Sequence, residues 1–127
     1  MITLLLVDDN AMIRQALRSI LEDYDGITIV GEAADGVTAF HLVLSLRPDV
    51  VLMDVGLSRL NGIDATRRIK NLLPQTLIIG LSVHNVGSIE CAMLAAGASA
   101  FLSKDTSPDE LVTTIKEHVE LRSSRVV

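Results

Sequence analysis

The sequence predicts an α/β fold, a doubly wound parallel sheet of five strands with five helices. Three observations carry that expectation. Five short apolar runs recur along the 127 residues. They are nearly continuous rather than alternating, as strands buried on both faces are. Each is followed by a segment with helical spacing, and strand–helix alternation with right-handed crossovers puts helices on both faces of a parallel sheet. Hydrophobic residues make up 49% and charged residues 21%, which suits one globular domain, and an aromatic share of 2% without Trp requires an aliphatic core.

The elements follow in order. Ile2–Val7 predicts the first strand and runs into Asp8-Asp9-Asn10, any of which can cap the next helix. There Ile13, Ala16, Leu17, Ile20 and Leu21 repeat at three and four residues and share a face. Ile27–Val30 predicts the second strand, and Val37, Phe40 and Leu44 the stripe of the second helix. Val50–Met53 predicts the third strand. Ile63, Thr66, Ile69 and Leu73 form the next stripe, with Arg67, Arg68 and Lys70 away from it. Leu77–Leu81 predicts the fourth strand, followed by Ile89, Ala92, Met93 and Ala96, with Gly97 as the C-terminal cap. Ala100–Leu102 predicts the fifth. Ser107 as N-cap, Pro108 at the first helical position and Glu110 in a capping box open the last helix, whose stripe is Leu111, Val112, Ile115 and Val119. That helix is expected to end near Leu121, so that residues 1–121 form the domain and 122–127 a tail or the start of a linker. Five such units favour strand order 2-1-3-4-5, the flavodoxin-like arrangement.

The formal net charge of -5 argues against this domain itself wrapping nucleic acid, which needs a basic face. The single cysteine, Cys91, forms neither an internal disulfide nor a metal cluster and reads as a small apolar helix residue. A reducing, cytoplasmic setting is expected. The opening apolar run meets Asp8 and Asp9 too early for a signal peptide or a membrane span. Glycine-rich nucleotide loops are absent, so no nucleotide is expected.

In open α/β sheets, ligands bind beyond the carboxyl ends of the strands. Those ends carry a biased set: Asp8 and Asp9 after strand one, Asp54 after strand three, Ser82 after strand four, and Ser103 and Lys104 after strand five. Any one acid alone reads as a helix cap, but the joint set does not. Two like charges about 4 Å apart repel by roughly 4 kcal/mol at an effective dielectric near 20, so three carboxylates together need a cation or a proton. A hard cation such as Mg2+ suits carboxylates that share it with phosphate oxygens. Lys104 and the Ser82 hydroxyl supply the complementary positive charge and hydrogen bond.

These residues match a family. Leu5-Leu6-Val7-Asp8-Asp9, then Asp54 eight residues before Gly62, then Leu81-Ser82, then Phe101-Leu102-Ser103-Lys104 resemble the receiver domain of two-component response regulators from residue 2 to about 121. Val30-Gly31-Glu32-Ala33, Asp35-Gly36, Gly62-Ile63-Asp64-Ala65-Thr66, Gly97-Ala98 and Lys104–Pro108 look like receivers that precede a LuxR-type (NarL/FixJ-like) helix-turn-helix domain. The resemblance implies that Asp54 is the phosphoacceptor. It implies that Asp9 binds Mg2+ directly, that Asp8 acts beside it through water, and that Gly56 offers its backbone carbonyl. Ser82 would bond the phosphoryl group, Lys104 would pair with it, and Phe101 would rotate with Ser82 as the switch. A sensor histidine kinase is the implied donor, and a homodimer through the helix 4–strand 5–helix 5 face or control of a DNA-binding domain the implied readout.

The sequence departs from the family at Leu57 and Ser58, where Met-Pro is common, at Asn61, often acidic, and at Val83, often smaller. The bulk of Val83 is expected to slow water attack on the phosphoryl group, and His84 can line the rim. Asp105 after Lys104 follows the LuxR-linked subgroup. His41 and His118 are assigned no role. Two other readings compete. A haloacid-dehalogenase-type enzyme wants an aspartate where Gly56 stands. A phosphorylation-independent pseudo-receiver, acting as a protein-interaction module, would not need the intact set of Asp8, Asp9, Asp54, Ser82 and Lys104.

Overall fold

The computed structural model describes residues 1–56, 61–82 and 87–125, with side chains as far as Arg122. Among these residues five strands, β1 (Ile2–Val7), β2 (Ile27–Ala33), β3 (Val50–Asp54), β4 (Leu77–Ser82) and β5 (Ala100–Ser103), alternate with five helices. These are α1 (Ala11–Glu22), α2 (Gly36–Leu46), α3 (Gly62–Leu72), α4 (Gly87–Ala96) and α5 (Pro108–Arg125). The strands are parallel and ordered β2-β1-β3-β4-β5, the order expected from the alternation.

The continuous apolar runs are explained by two cores. Leu5 and Val7 of β1, with Val51 and Met53 of β3, face one layer, where they meet Ala39 and Val43 of α2, Ala65 and Ile69 of α3, and Met93 of α4. Leu4 and Leu6, with Val50 and Leu52, face the other, against Leu21 of α1 and Leu111, Val112 and Ile115 of α5. Side-chain direction still alternates residue by residue, but both faces are covered, so both parities are apolar. Between the layers Gly80 makes room: a Cβ there would lie 2.8 Å from Met93 Cε and from Phe101 Cδ1.

Caps fix several ends. Asn10, rather than Asp8 or Asp9, caps α1, its Oδ1 accepting from Met12 N and Ile13 N. Asp35 caps α2 and Asn61 caps α3. Ser107 Oγ accepts from Glu110 N at the start of α5. Gly97, at φ +116°, closes α4.

Three expectations are corrected. In α2 the buried residues are Gly36, Ala39 and Val43, while Leu44 is exposed. The helix is apolar nearly all round, so spacing did not set its phase. In α1 Ala16 is exposed, because that helix turns only a narrow stripe onto the sheet. The last helix passes Leu121 and reaches Arg125. Arg122 holds it there, donating to Asp49 O (3.3 Å) and Gln75 O (3.1 Å) and pairing with Asp49 Oδ1 at 3.2 Å. Apolar periodicity carries no sign of such a polar anchor.

Candidate functional site

The carboxyl ends of β1 and β3 lie side by side because these strands are neighbours, Val7 pairing with Met53. Asp8 and Asp54 each stand one residue further on. Asp54 is 6% exposed and Asp8 2%, while Asp9 is exposed. Carboxylate oxygens of the three lie within 4.8 Å of one another. Lys104, just after β5, reaches into this group from the other side: its Nζ is 2.7 Å from Asp8 Oδ2 and 3.4 Å from Asp54 Oδ1. It is placed there by its own backbone, which donates to Ser82 O at 2.9 Å.

Ser82 closes β4 one residue after Leu81, the β-partner of Asp54, and is 5% exposed. It pairs with Ser103 across β4 and β5. Phe101 is half-buried on β5, packed over Gly80 against the α2–α3–α4 layer. Gly56 is exposed and donates its N–H to Asp54 Oδ1 at 3.0 Å. Leu57, Ser58, Val83 and His84 lie outside the described residues.

Gly62 owes its identity to the site. A Cβ on it would lie 2.3 Å from the carbonyl oxygen of Asp54 and 2.7 Å from Val55 Cα, so only glycine lets α3 start this close to the end of β3. The glycine eight residues after Asp54 is thus a packing requirement.

The electrostatics are unbalanced. Among the described residues, three carboxylates gather here and one ammonium, that of Lys104, pairs with two of them. Burial pushes the Asp54 carboxyl up; the Gly56 N–H opposes this, the Asp8 charge adds to it, and Lys104 only partly offsets it. Burial pulls the Lys104 ammonium down, but its bond to Asp8 and the charges of Asp54 and Asp8 outweigh that and leave it raised. Such a donor set, all oxygen and one cation short, fits a hard divalent ion.

Asp8 is unusually constrained. Its N–H donates to Ala33 O (3.0 Å), its Oδ1 accepts from Asn10 N (2.9 Å), its Oδ2 is held by Lys104, and its carbonyl accepts from Arg14 NH1 at 2.7 Å. Arg14 Nε also pairs with Glu32 Oε1 at 3.0 Å, and Arg18 Nε takes Glu32 Oε2 at 2.7 Å. Sequence reasoning missed Arg14 and Arg18. Their signal was present in the i, i+4 spacing of two arginines behind the acidic pair, but their shared partner on β2 is distant in sequence.

Comparison with known proteins bears on the family and the fold. The model of the response regulator receiver domain family matches residues 4–116. The chain is 40% identical over 116 residues to the response regulator UvrY of Escherichia coli, covering 91% of this chain and 53% of that protein. It is 34% identical over 115 residues to the transcriptional regulatory protein MctR of Rhizobium johnstonii, covering 91% and 54%. The chain therefore spans about half the length of the curated relatives it matches. Among solved structures, a LuxR-family two-component response regulator from Aurantimonas superposes with a TM-score of 0.89 at 33% identity, over 94% of this chain and 85% of that one. The signal receiver domain of a NarL response regulator from Mycobacterium tuberculosis gives 0.89 at 26% identity, over 94% and 96%.

Proposed function

The chain belongs to the response regulator receiver domain family, and from that premise we propose that Asp54 is the phosphoacceptor, taking a phosphoryl group from a phosphohistidine of a sensor kinase. The observation that supports this reading best is the gathering of Asp8, Asp9 and Asp54 at the carboxyl edge of the sheet, with Lys104 set against Asp8 and Asp54. A carboxylate oxygen of Asp54 forms the new bond to phosphorus as the bond from phosphorus to the donor imidazole nitrogen breaks, and the electron pair leaves with the imidazole. Transfer of this kind depends on positioning and charge neutralisation.

Asp9, Asp54 and the Gly56 carbonyl would hold Mg2+, with Asp8 beside them. When bound, the ion neutralises charge on the acceptor and on the phosphoryl oxygens. Lys104 neutralises a further oxygen. For this it exchanges its hold on Asp8 for one on the incoming group. The Ser82 hydroxyl donates to another oxygen. As Ser82 moves inward, Phe101 turns over Gly80 and reshapes β5 and its flanking helices, a population shift driven by local charge.

The readout is control of a segment following this domain, which extends past the expected residues 1–121 because α5 runs to Arg125 with Arg122 tied to Asp49. A LuxR-type DNA-binding domain is the output we propose, with homodimerisation through α4, β5 and α5 as its companion. In this reading the domain itself binds no nucleic acid and works in the cytoplasm. Separately, no helix among the described residues is long and apolar enough to cross a membrane.

The test is phosphorylation by acetyl phosphate with Mg2+. The wild-type chain should gain an acid-labile phosphate, and Asp54→Asn should lose it by at least about a hundredfold. Labelling of Asp54→Asn at the wild-type level sinks the assignment. A wild-type chain that binds neither Mg2+ nor beryllofluoride favours the pseudo-receiver.

A further inference from the structure

We infer that Arg14 is a positioning residue of the metal site, held in place by Glu32 and acting through the peptide bond between Asp8 and Asp9. This rests on the magnesium reading above and goes beyond it. The carbonyl that Arg14 grips at 2.7 Å belongs to the planar unit that joins Asp8 to Asp9. With that plane fixed, only one backbone dihedral separates it from the direction in which Asp9 projects its side chain. Asp9 needs such help. It is exposed, and among the described residues nothing bonds to its carboxylate. Asp8, by contrast, is already held through all four of its polar atoms.

Arg14 is itself fixed. Its Nε is committed to Glu32 Oε1, which leaves NH1 for the Asp8 carbonyl, a division of labour that the planar guanidinium fork allows and a lysine does not. Glu32 stands near the end of β2, paired with Leu6 of β1, and Arg18 occupies its other oxygen. The bracket therefore ties the metal-binding loop to the neighbouring strand. It also keeps the Arg14 charge engaged beside a carboxylate cluster that would otherwise attract it.

The sign of the effect separates positioning from charge. Removing a cation near three carboxylates should, by electrostatics alone, tighten Mg2+ binding. Releasing the Asp8–Asp9 peptide should weaken it, and losing a supporting contact around a metal ligand typically costs about tenfold in affinity or more.

Calorimetric titration of the chain with Mg2+, without phosphodonor, decides. Arg14→Gln and Arg14→Lys should each raise the Kd about tenfold, with the phosphorylation rate by acetyl phosphate recovering at saturating Mg2+. Arg18→Gln, which leaves both Arg14 bonds, should change Kd by less than about twofold. Glu32→Gln, a second route should an Arg14 variant fail to fold, should fall between them. Wild-type or tighter affinity in Arg14→Gln overturns the inference, as does full retention by Arg14→Lys or an Arg18→Gln as weak as Arg14→Gln. A wild-type chain that takes up no Mg2+ overturns the parent reading as well, so the two failures are distinguishable.

Discussion

Asp49 and Asp54 bracket the same strand and live in opposite electrostatic conditions. Asp49, just before β3, is fully partnered: its Oδ2 accepts from Thr3 N at 2.9 Å and from Thr3 Oγ1 at 3.2 Å, and its Oδ1 pairs with Arg122. Burial alone would raise its pKa, but the Thr3 backbone bond, the Arg122 guanidinium and the Thr3 hydroxyl outweigh it and leave it lowered. Asp54, at the other end, is more deeply buried, has two carboxylate neighbours and must share Lys104 with Asp8, and its pKa is raised. One aspartate is a tie between β1, β3 and α5. The other is a charge the fold bears without relieving it. An acid left short of cations is poised to accept one, and shifted pKa values of this kind mark functional sites more than structural ties do.

The largest effect should come from cutting the tie. Asp49→Ala strands Thr3 and Arg122 and should cost about 3 kcal/mol in denaturant unfolding. Because the folded pKa of Asp49 is depressed, its contribution is present above about pH 4 and is lost as pH falls through the folded value. An acid limb of the stability curve that Asp49→Asn leaves untouched would break the comparison.

The next effect sharpens the other half. If the carboxyl edge is short of cations, Mg2+ at a hundred times its Kd should stabilise the chain by about 2.7 kcal/mol. Asp9→Asn should remove most of that increment. A melting temperature insensitive to Mg2+ in both proteins would contradict the charge argument.

The smallest effect is the most telling. Asp54→Asn removes a buried charge the fold resists, so without Mg2+ it should raise the melting temperature at pH 7 by about 2–4 °C. A raised folded pKa means stability held at low pH and lost as pH rises through that value, so the advantage of the variant should vanish below about pH 4. A destabilised Asp54→Asn would show that Lys104 satisfies this carboxylate after all.

The strands were legible because a strand covered on both faces must be apolar at every position, and Leu4-Leu5-Leu6-Val7 has no other economical reading. The acidic site was legible for a related reason: parallel strands bring their carboxyl ends to one edge, so strand order alone places Asp8, Asp54 and Lys104 together. The phase of α2 was not legible, since Phe40, Leu42, Val43 and Leu44 offer apolar surface in every direction and only the position of the sheet selects Ala39 and Val43. Nor was the reach of α5, which depends on Arg122 meeting Asp49, 73 residues away in sequence.

By itself, then, the sequence determined the number of elements, their order, and the edge at which the charged residues gather, because periodicity and strand direction are local properties of a chain. Tertiary structure alone decided how those charges are apportioned. It gave the Asp49 carboxylate three bonds from Thr3 and Arg122, left Asp54 and Asp8 to share one lysine, exposed Asp9, and closed the Arg14–Glu32–Arg18 bracket behind it. Hydrogen bonds and ion pairs between distant segments depend on ångström-scale approach, and packing sets that approach.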